Sequence, residues 1–206
     1  MKGKLIIIEG LDGTGKSTHI SLLQKQFKEK GYKTYLTREP GGTDVGEEIR
    51  KILKSDIEMS ISTQAYLFAA ARNENNPKIL ELINKGYIVF LDRSFLSSYV
   101  YQGKDIAEPI NKYAMDILSD IKKNFIIFDV DYETFKYRIK DRKEKEDRYE
   151  KLLQNKESFN SLRNKYIELS EKYGSIIFNT SNISIENIEE ENKKLFNNIL
   201  KIFEEE

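Results

Sequence analysis

Residues 10–17 read Gly10-Leu11-Asp12-Gly13-Thr14-Gly15-Lys16-Ser17, which has the full spacing of a phosphate-binding loop. The apolar run Leu5–Ile8 comes just before it and a helical pattern opens at Ser17, so strand, loop and helix follow in the required order. Glycines let successive backbone N–H groups curl around phosphate oxygens, and the helix N-terminus adds its dipole. Lys16 is placed to reach the outer phosphates of a nucleoside triphosphate, and the Ser17 hydroxyl to hold Mg²⁺. Gly10, Leu11, Asp12, Gly13, Thr14, Gly15, Lys16, Ser17 and Thr18 are therefore the candidate ATP-binding residues.

Working outward, 206 residues suit one domain with a sizeable core. Basic and acidic residues balance at 34 each, which argues against a general affinity for nucleic acid or membrane surfaces. Absence of cysteine excludes disulfides and cysteine-ligated metal. No apolar stretch approaches the roughly 20 residues of a membrane span, and Met1-Lys2-Gly3 leads straight into a strand. A cytoplasmic location is expected. Only eight of the 34 basic residues are arginine. Five of them, Arg38, Arg72, Arg93, Arg142 and Arg148, sit in or beside motifs where a rigid fork suits phosphate or carboxylate.

Short apolar runs at Leu5–Ile8, Thr34–Thr37, Tyr87–Leu91, Phe125–Val130 and Ser175–Phe178 alternate with longer helical patterns. The patterns lie near 17–30, 44–54, 62–75, 77–85, 107–121, 132–142, 157–173 and 185–204. Strands that are apolar throughout imply burial on both faces. The expected fold is thus three-layer α/β, a five-stranded parallel sheet flanked by helices. Gly31 reads as a helix stop, and Asn76-Pro77 as an N-cap followed by proline at the first helical position. Residues 140–151 are almost entirely charged and read as a solvated loop, a mobile lid or an exposed helix end.

Two further segments lie at strand ends, where ligands of open α/β sheets collect. Thr37-Arg38-Glu39-Pro40-Gly41-Gly42-Thr43 offers a guanidinium fork and glycines that let backbone approach closely, although a plain turn would read the same. Asp92-Arg93-Ser94 ends the third apolar run. It places Asp92 where phosphate-loop enzymes steer Mg²⁺ and Arg93 between donor and acceptor phosphates.

Together these segments resemble the thymidylate kinase family, of the bacterial kind, along nearly the whole chain. The matching residues are Glu9–Thr18, Thr37–Thr43, Phe68-Ala-Ala-Ala-Arg72, Asp92-Arg93-Ser94, Ser97-Ser98 with Tyr101-Gln102-Gly103, and Asp147-Arg148. The resemblance implies a nucleoside-monophosphate-kinase fold, phosphate transfer from ATP to dTMP with Mg²⁺, and a homodimer. It also implies roles on the acceptor side. Phe68 would stack on thymine, with Arg72 one helical turn on pairing to a base carbonyl and Ser98 and Gln102 reaching the base edge. Tyr101 would crowd the sugar's 2′ position, Asp12 hold its 3′-hydroxyl, and Arg38 and Arg93 bind the acceptor phosphate beside Glu39 and Pro40.

Some family members carry arginine after the residue matching Asp12; here Gly13 follows. The resemblance then implies that a lid at about 140–151 supplies the arginine, with Arg142 and Arg148 as the candidates, a contribution of about 10³–10⁵ in rate. Lys104-Asp105-Ile106 departs from the family after Gly103. The lone histidine, His19, is expected to pack or face solvent. Another small nucleotide kinase on the same fold is the near alternative, and a nucleotide sensor or guanine-specific switch a distant one. Asn84-Lys85 precedes a strand without the aspartate such a switch needs.

Overall fold

The computed structural model describes residues 3–140 and 147–204. In chain order the elements are β1 (Lys4–Glu9), α1 (Lys16–Glu29), β2 (Thr34–Arg38), α2 (Asp44–Lys54), α3 (Ile61–Asn84), β3 (Ile88–Asp92), α4 (Phe95–Gln102) and α5 (Lys104–Asp116). They continue with β4 (Lys123–Asp129), α6 (Tyr132–Ile139), α7 (Arg148–Leu153), α8 (Lys156–Tyr173), β5 (Ile176–Asn179) and α9 (Ile188–Glu204). The strands form one five-stranded sheet in the order β2-β3-β1-β4-β5, parallel at every pairing.

Alternation within each strand explains the three layers. Leu5 and Ile7 of β1, with Val89 and Leu91 of β3, turn to one face and pack on Ile79 and Ile83 of α3 and on Leu96 and Tyr99 of α4. Ile6 and Ile8, with Phe90 and Phe128, turn to the other and pack on Leu23 and Phe27 of α1 and Leu195 and Phe196 of α9. Both faces being covered, β1 is apolar without alternation. A third cluster, which includes Leu11, Val130, Phe135, Leu153, Phe159 and Tyr166, ties α6, α7 and α8 together beside the phosphate-loop residue Leu11.

Register sets the height of the functional residues. Asp92 pairs with Ile8 on one side and with Arg38 on the other. The carboxyl ends of β1, β2 and β3 therefore form one rim, from which Glu9, Arg38 and Asp92 lead into loops. β1 lies between β3 and β4, so the chain passes to opposite sides of it, which is where a crevice opens in such sheets.

The structure corrects one boundary. Asn76-Pro77 does not start a helix, because α3 runs unbroken through Pro77. The asparagine side chains are engaged elsewhere: Asn76 Nδ2 donates to the Ala114 carbonyl at 2.5 Å, and Asn75 Oδ1 accepts from the Thr37 hydroxyl. Two helices, α4 and α7, lie outside the expected helical patterns, although Asp147 and Glu150 have the spacing of a capping box. The pattern near 107–121 is shifted toward the N-terminus, to 104–116.

Candidate functional site

Two clefts open along the rim. The larger is lined by Gly13, Gly15, Lys16, Ser17 and Thr18 of the phosphate loop, together with Arg38, Asp92 and Arg138. The second is lined by Pro40, Phe68, Ser97, Tyr101 and Tyr149 among others. Both are lined by Asp12, Arg50 and Arg93. A charged partition thus separates two spaces that meet.

On the loop side, α1 starts differently from most other helices. Its N-cap is Gly15, at φ 86°, with no side-chain cap. By contrast α2, α3, α4, α6, α7 and α8 are capped by Thr43, Ser60, Ser94, Asp131, Asp147 and Asn155. The start of α1 has no side-chain cap, and Lys16, Ser17 and Thr18 line the cleft, which suits an anion. Gly10 is needed for another reason: a Cβ there would collide with the Phe128 carbonyl of the neighbouring strand. Gly10, Leu11 and Thr14 form the buried underside of the loop. The Thr14 hydroxyl donates to the Leu11 carbonyl at 2.9 Å.

Lys16 is folded onto its own loop, with Nζ donating to the Gly10 and Leu11 carbonyls at 3.0 and 2.7 Å. Burial, reinforced by the nearby Arg93, pulls its pKa down to about 8, against the opposing pull of Asp12, Asp92 and Glu9. Arg138 of α6, which sequence reasoning passed over, reaches the same loop. Its Nη1 donates to the Gly13 carbonyl and the Thr180 hydroxyl, and its Nη2 to the Thr180 carbonyl at 2.6 Å.

Arg93 and Asp12 form the partition. Arg93 Nη2 donates to Asp12 Oδ1 at 2.6 Å, while Nη1 donates to the hydroxyls of Ser97 and Tyr166 at 3.2 Å each. Burial works to raise the Asp12 pKa, but Arg93 and Lys16 outweigh it and hold the carboxyl well below the usual range. Arg93 has φ 72°, the one positive φ outside glycine among the described residues. A non-glycine residue there carries strain of order 1–3 kcal/mol. The hydrogen bond that its amide N–H donates to the Ile8 carbonyl at 2.8 Å helps hold it.

Beneath it lies Glu9, whose role the sequence reading did not anticipate. Its buried carboxylate accepts from the Ser94 amide and hydroxyl at 2.8 and 2.7 Å and from the Ser97 hydroxyl at 2.6 Å. Burial pushes the Glu9 pKa up, opposed by Ser97 and Arg93. This anchor fixes the start of α4 against β1.

On the β2 side, Arg38 is paired with Glu47 of α2 at 2.8 Å, and Glu47 also accepts from the Gly42 amide. A Cβ at Gly42, where φ is 78°, would overlap the Thr37 hydroxyl. Arg50 donates to the Pro40 carbonyl at 3.1 Å. Glu39 is buried against Arg72 at 2.7 Å, both side chains 3 % exposed. Burial raises the Glu39 pKa and Arg72 works against it. Arg72 also donates to Asn111 Oδ1 and, at 3.5 Å, to the Ser98 hydroxyl.

Phe68, Pro40 and Tyr101 line the second cleft, whereas Arg72, Ser98 and Gln102 are buried one residue or one helical turn from lining side chains. Four buried polar atoms in this region have no hydrogen-bond partner: Asp92 Oδ1, the Tyr101 hydroxyl and both amide atoms of Gln102. Of these, Asp92 lines the larger cleft and Tyr101 the second, whereas Gln102 lines neither.

Of the two arginines expected in a lid, Arg142 lies outside the described residues. Arg148 is turned to the α2–α3 connection, its Nη2 donating to the Ser55 carbonyl at 2.6 Å and to that of Ile57. His19 packs between Phe128 and Phe178 and bonds Asn192 at 2.9 Å.

A family model described as thymidylate kinase matches residues 8–192. The thymidylate kinase of Vesicomyosocius okutanii is 38% identical over 179 residues, 84% of this chain and 86% of that one. The Mycoplasma genitalium enzyme is 34% identical over 191 residues, 88% and 89% of the two chains.

The chain belongs to the thymidylate kinase family.

A more similar stretch occurs in the Caldicellulosiruptor saccharolyticus thymidylate kinase, 53% identical over 105 residues, where the match spans about half of each chain. Among solved structures, the thymidylate kinase of Candida albicans covers 100% of this chain and 94% of its own, with 25% identity and a TM-score of 0.73. Membership makes this chain a dTMP kinase on a five-stranded parallel P-loop fold. Family membership brings a need for a divalent cation. Among the described residues no helix is long and apolar enough to cross a membrane.

Proposed function

We propose that the chain transfers the terminal phosphoryl group of ATP to dTMP with Mg²⁺, giving dTDP and ADP. ATP phosphates occupy the loop-lined cleft and dTMP the cleft beside Phe68. The observation that carries this reading is that the two clefts meet at Asp12 and Arg93, where donor and acceptor phosphates must approach in line.

The residues divide as follows. Lys16 leaves the Gly10 and Leu11 carbonyls for the outer phosphates of ATP, which also rest on the α1 amides. Arg138 borders the donor side. Arg93, with Arg38, takes the acceptor phosphate, and Asp12 the sugar's 3′-hydroxyl. Phe68 stacks on thymine, while Arg72, Ser98 and the unpartnered amide of Gln102 read the base. Tyr101 crowds the 2′ position.

The donor set fits Mg²⁺. No group of three or more acidic or imidazole side chains that could hold a metal exists among the described residues, but Asp92 has a buried oxygen without a partner and lines the cleft with Ser17. A hard cation that keeps its waters and takes phosphate oxygens needs no more protein than that. Bound there, Mg²⁺ neutralises charge on the phosphates.

Charge on the transferred group is completed by an arginine of the lid, 140–151, within a single domain. Arg142 and Arg148 are the two candidates, and Arg148 is engaged at Ser55 and Ile57. The enzyme works as a cytoplasmic homodimer. Scattering on the purified protein tests the assembly: twice the 24.1 kDa chain mass is expected, and a monomer contradicts it. The substrate reading is tested by adding dTMP, dUMP, dCMP or thymidine separately to an ATP-consumption assay. Turnover fastest with dTMP is expected; turnover only with the unphosphorylated nucleoside would overturn the acceptor assignment.

A further inference from the structure

A six-residue helix such as α7 cannot hold itself together in water, so its position depends on what ties it down. The polar ties of Asp147, Arg148, Tyr149 and Lys151 run to residues 54–64 at the end of α2 and the start of α3, while the far end of the helix is held by Leu153 in the cluster with Phe135 and Phe159 and by the Gln154 carbonyl, which accepts from the Tyr132 hydroxyl. Asp147 caps α7 through the Tyr149 and Glu150 amides at 2.9 and 3.0 Å and pairs with Lys54 at 2.9 Å. Arg148 donates to the Ser55 and Ile57 carbonyls. The Tyr149 hydroxyl donates to Gln64 at 3.0 Å, and Lys151 pairs with Asp56 at 3.3 Å.

These ties are unequal. Lys151 and Asp56 are each more than half exposed, and such pairs contribute little. Arg148 brings a charged donor to two main-chain acceptors, and hydrogen bonds to charged groups are the stronger class. The neighbour it positions is Tyr149. That ring lies 5.9 Å from Phe68 and 5.5 Å from Tyr101 and lines the cleft assigned above to dTMP. Arg148 itself lines neither cleft.

We propose that Arg148 is a positioning residue for the acceptor: it latches α7 onto the α2–α3 connection and so sets Tyr149 as a wall of the dTMP cleft. It does not meet charge on the transferred phosphoryl group. The proposal rests on the cleft assignment made above. Loss of the latch loosens dTMP while leaving the loop, Lys16 and the partition intact.

The test is steady-state kinetics on the full chain with Arg148→Met, which keeps the stem and removes the donors. The expected result is a KM for dTMP raised about tenfold or more, with kcat at saturating dTMP and KM for ATP within about threefold. Arg148→Lys, which keeps one charged donor, recovers part of the loss. In a double-mutant cycle, Arg148→Met adds nothing further once Tyr149→Ala is present, since one acts through the other. A kcat reduced about 10³-fold with KM unchanged would assign Arg148 to the phosphoryl group instead. Unaltered constants, or fully additive effects with Tyr149→Ala, would equally overturn the latch. Hydrogen exchange on the free protein separates this from a failure of the substrate reading. Arg148→Met speeds exchange at residues 149–153 and not in the phosphate loop, whichever nucleotide proves to be the acceptor.

Discussion

Replacing Arg72 by methionine leaves Glu39 buried, 3 % exposed, without its cation. Breaking a buried ion pair from one side costs about 3–5 kcal/mol, mostly as the penalty of the charge left behind. For 206 residues, an unfolding entropy of roughly 2.1 cal/mol/K per residue totals about 0.4 kcal/mol/K, so Tm falls by about 7–12 °C at neutral pH. The pH dependence gives a sharper signature. Burial already raises the Glu39 pKa and Arg72 opposes it, so removing Arg72 pushes that pKa higher still. A carboxyl whose folded pKa exceeds its unfolded one stabilises the fold fully below the unfolded value, and that contribution is lost as pH rises through the folded value. The Tm deficit is therefore greatest near pH 8 and shrinks on acidification toward pH 5. Adding Glu39→Gln to Arg72→Met restores part of the loss, because no buried charge remains. Scanning calorimetry on the four variants across this range measures all of it. A Tm within about 2 °C of the parent at every pH would refute the reasoning, showing Glu39 to be neutral or solvated in the native protein.

Three other outcomes follow from the same geometry. Lys16, held near pKa 8 in the free protein, gains a proton when phosphate anions arrive. ATP affinity therefore declines as pH rises through about 8, and calorimetry in buffers of different ionisation enthalpy at pH 8.5 detects proton uptake; affinity flat to pH 9.5 contradicts this. Asp92→Asn keeps the shape but removes the charge next to Ser17, so turnover drops about 10–100-fold and is recovered in part by raising Mg²⁺; the rate against Mg²⁺ concentration decides. Gly42→Ala forces a side chain into a left-handed backbone against Thr37, lowering stability by about 1–3 kcal/mol and weakening dTMP binding in urea titration and kinetics respectively.

How much was legible in the sequence depended on what each residue answers to. The central strands were readable because burial on both faces leaves an unbroken apolar run, as in Leu5–Ile8, while the half-exposed edge strands β2 and β5 kept short apolar runs between helical patterns. α4 was not, since Phe95 to Val100 are all buried and a helix buried all round has no polar face to mark its period. α7 was hidden inside a charged run and is held by contacts with residues 54–64 and, through Leu153, with α6 and α8. Asn76-Pro77 imitated a helix start because its true hydrogen-bond partner, Ala114, lies on another element. The phosphate loop and the Asp92-Arg93 rim could be read because local spacing sets their chemistry. Arg138, Arg50 and Asn111 could not, because their partners, Gly13 and Thr180, Pro40, and Arg72, lie on other segments that only the fold brings near. For Arg138 the one available signal was an arginine four residues before Arg142, and for Glu9 an acid ending an apolar strand.

The central claim is best tested by a crystal structure with dTMP and a non-hydrolysable ATP analogue bound together. The expected structure has the pyrimidine against Phe68, the acceptor phosphate on the Arg93 guanidinium, and Lys16 Nζ moved from the Gly10 and Leu11 carbonyls to the outer phosphates. A structure with Arg93 still closed on Asp12 and the pyrimidine bound away from Phe68 would contradict it.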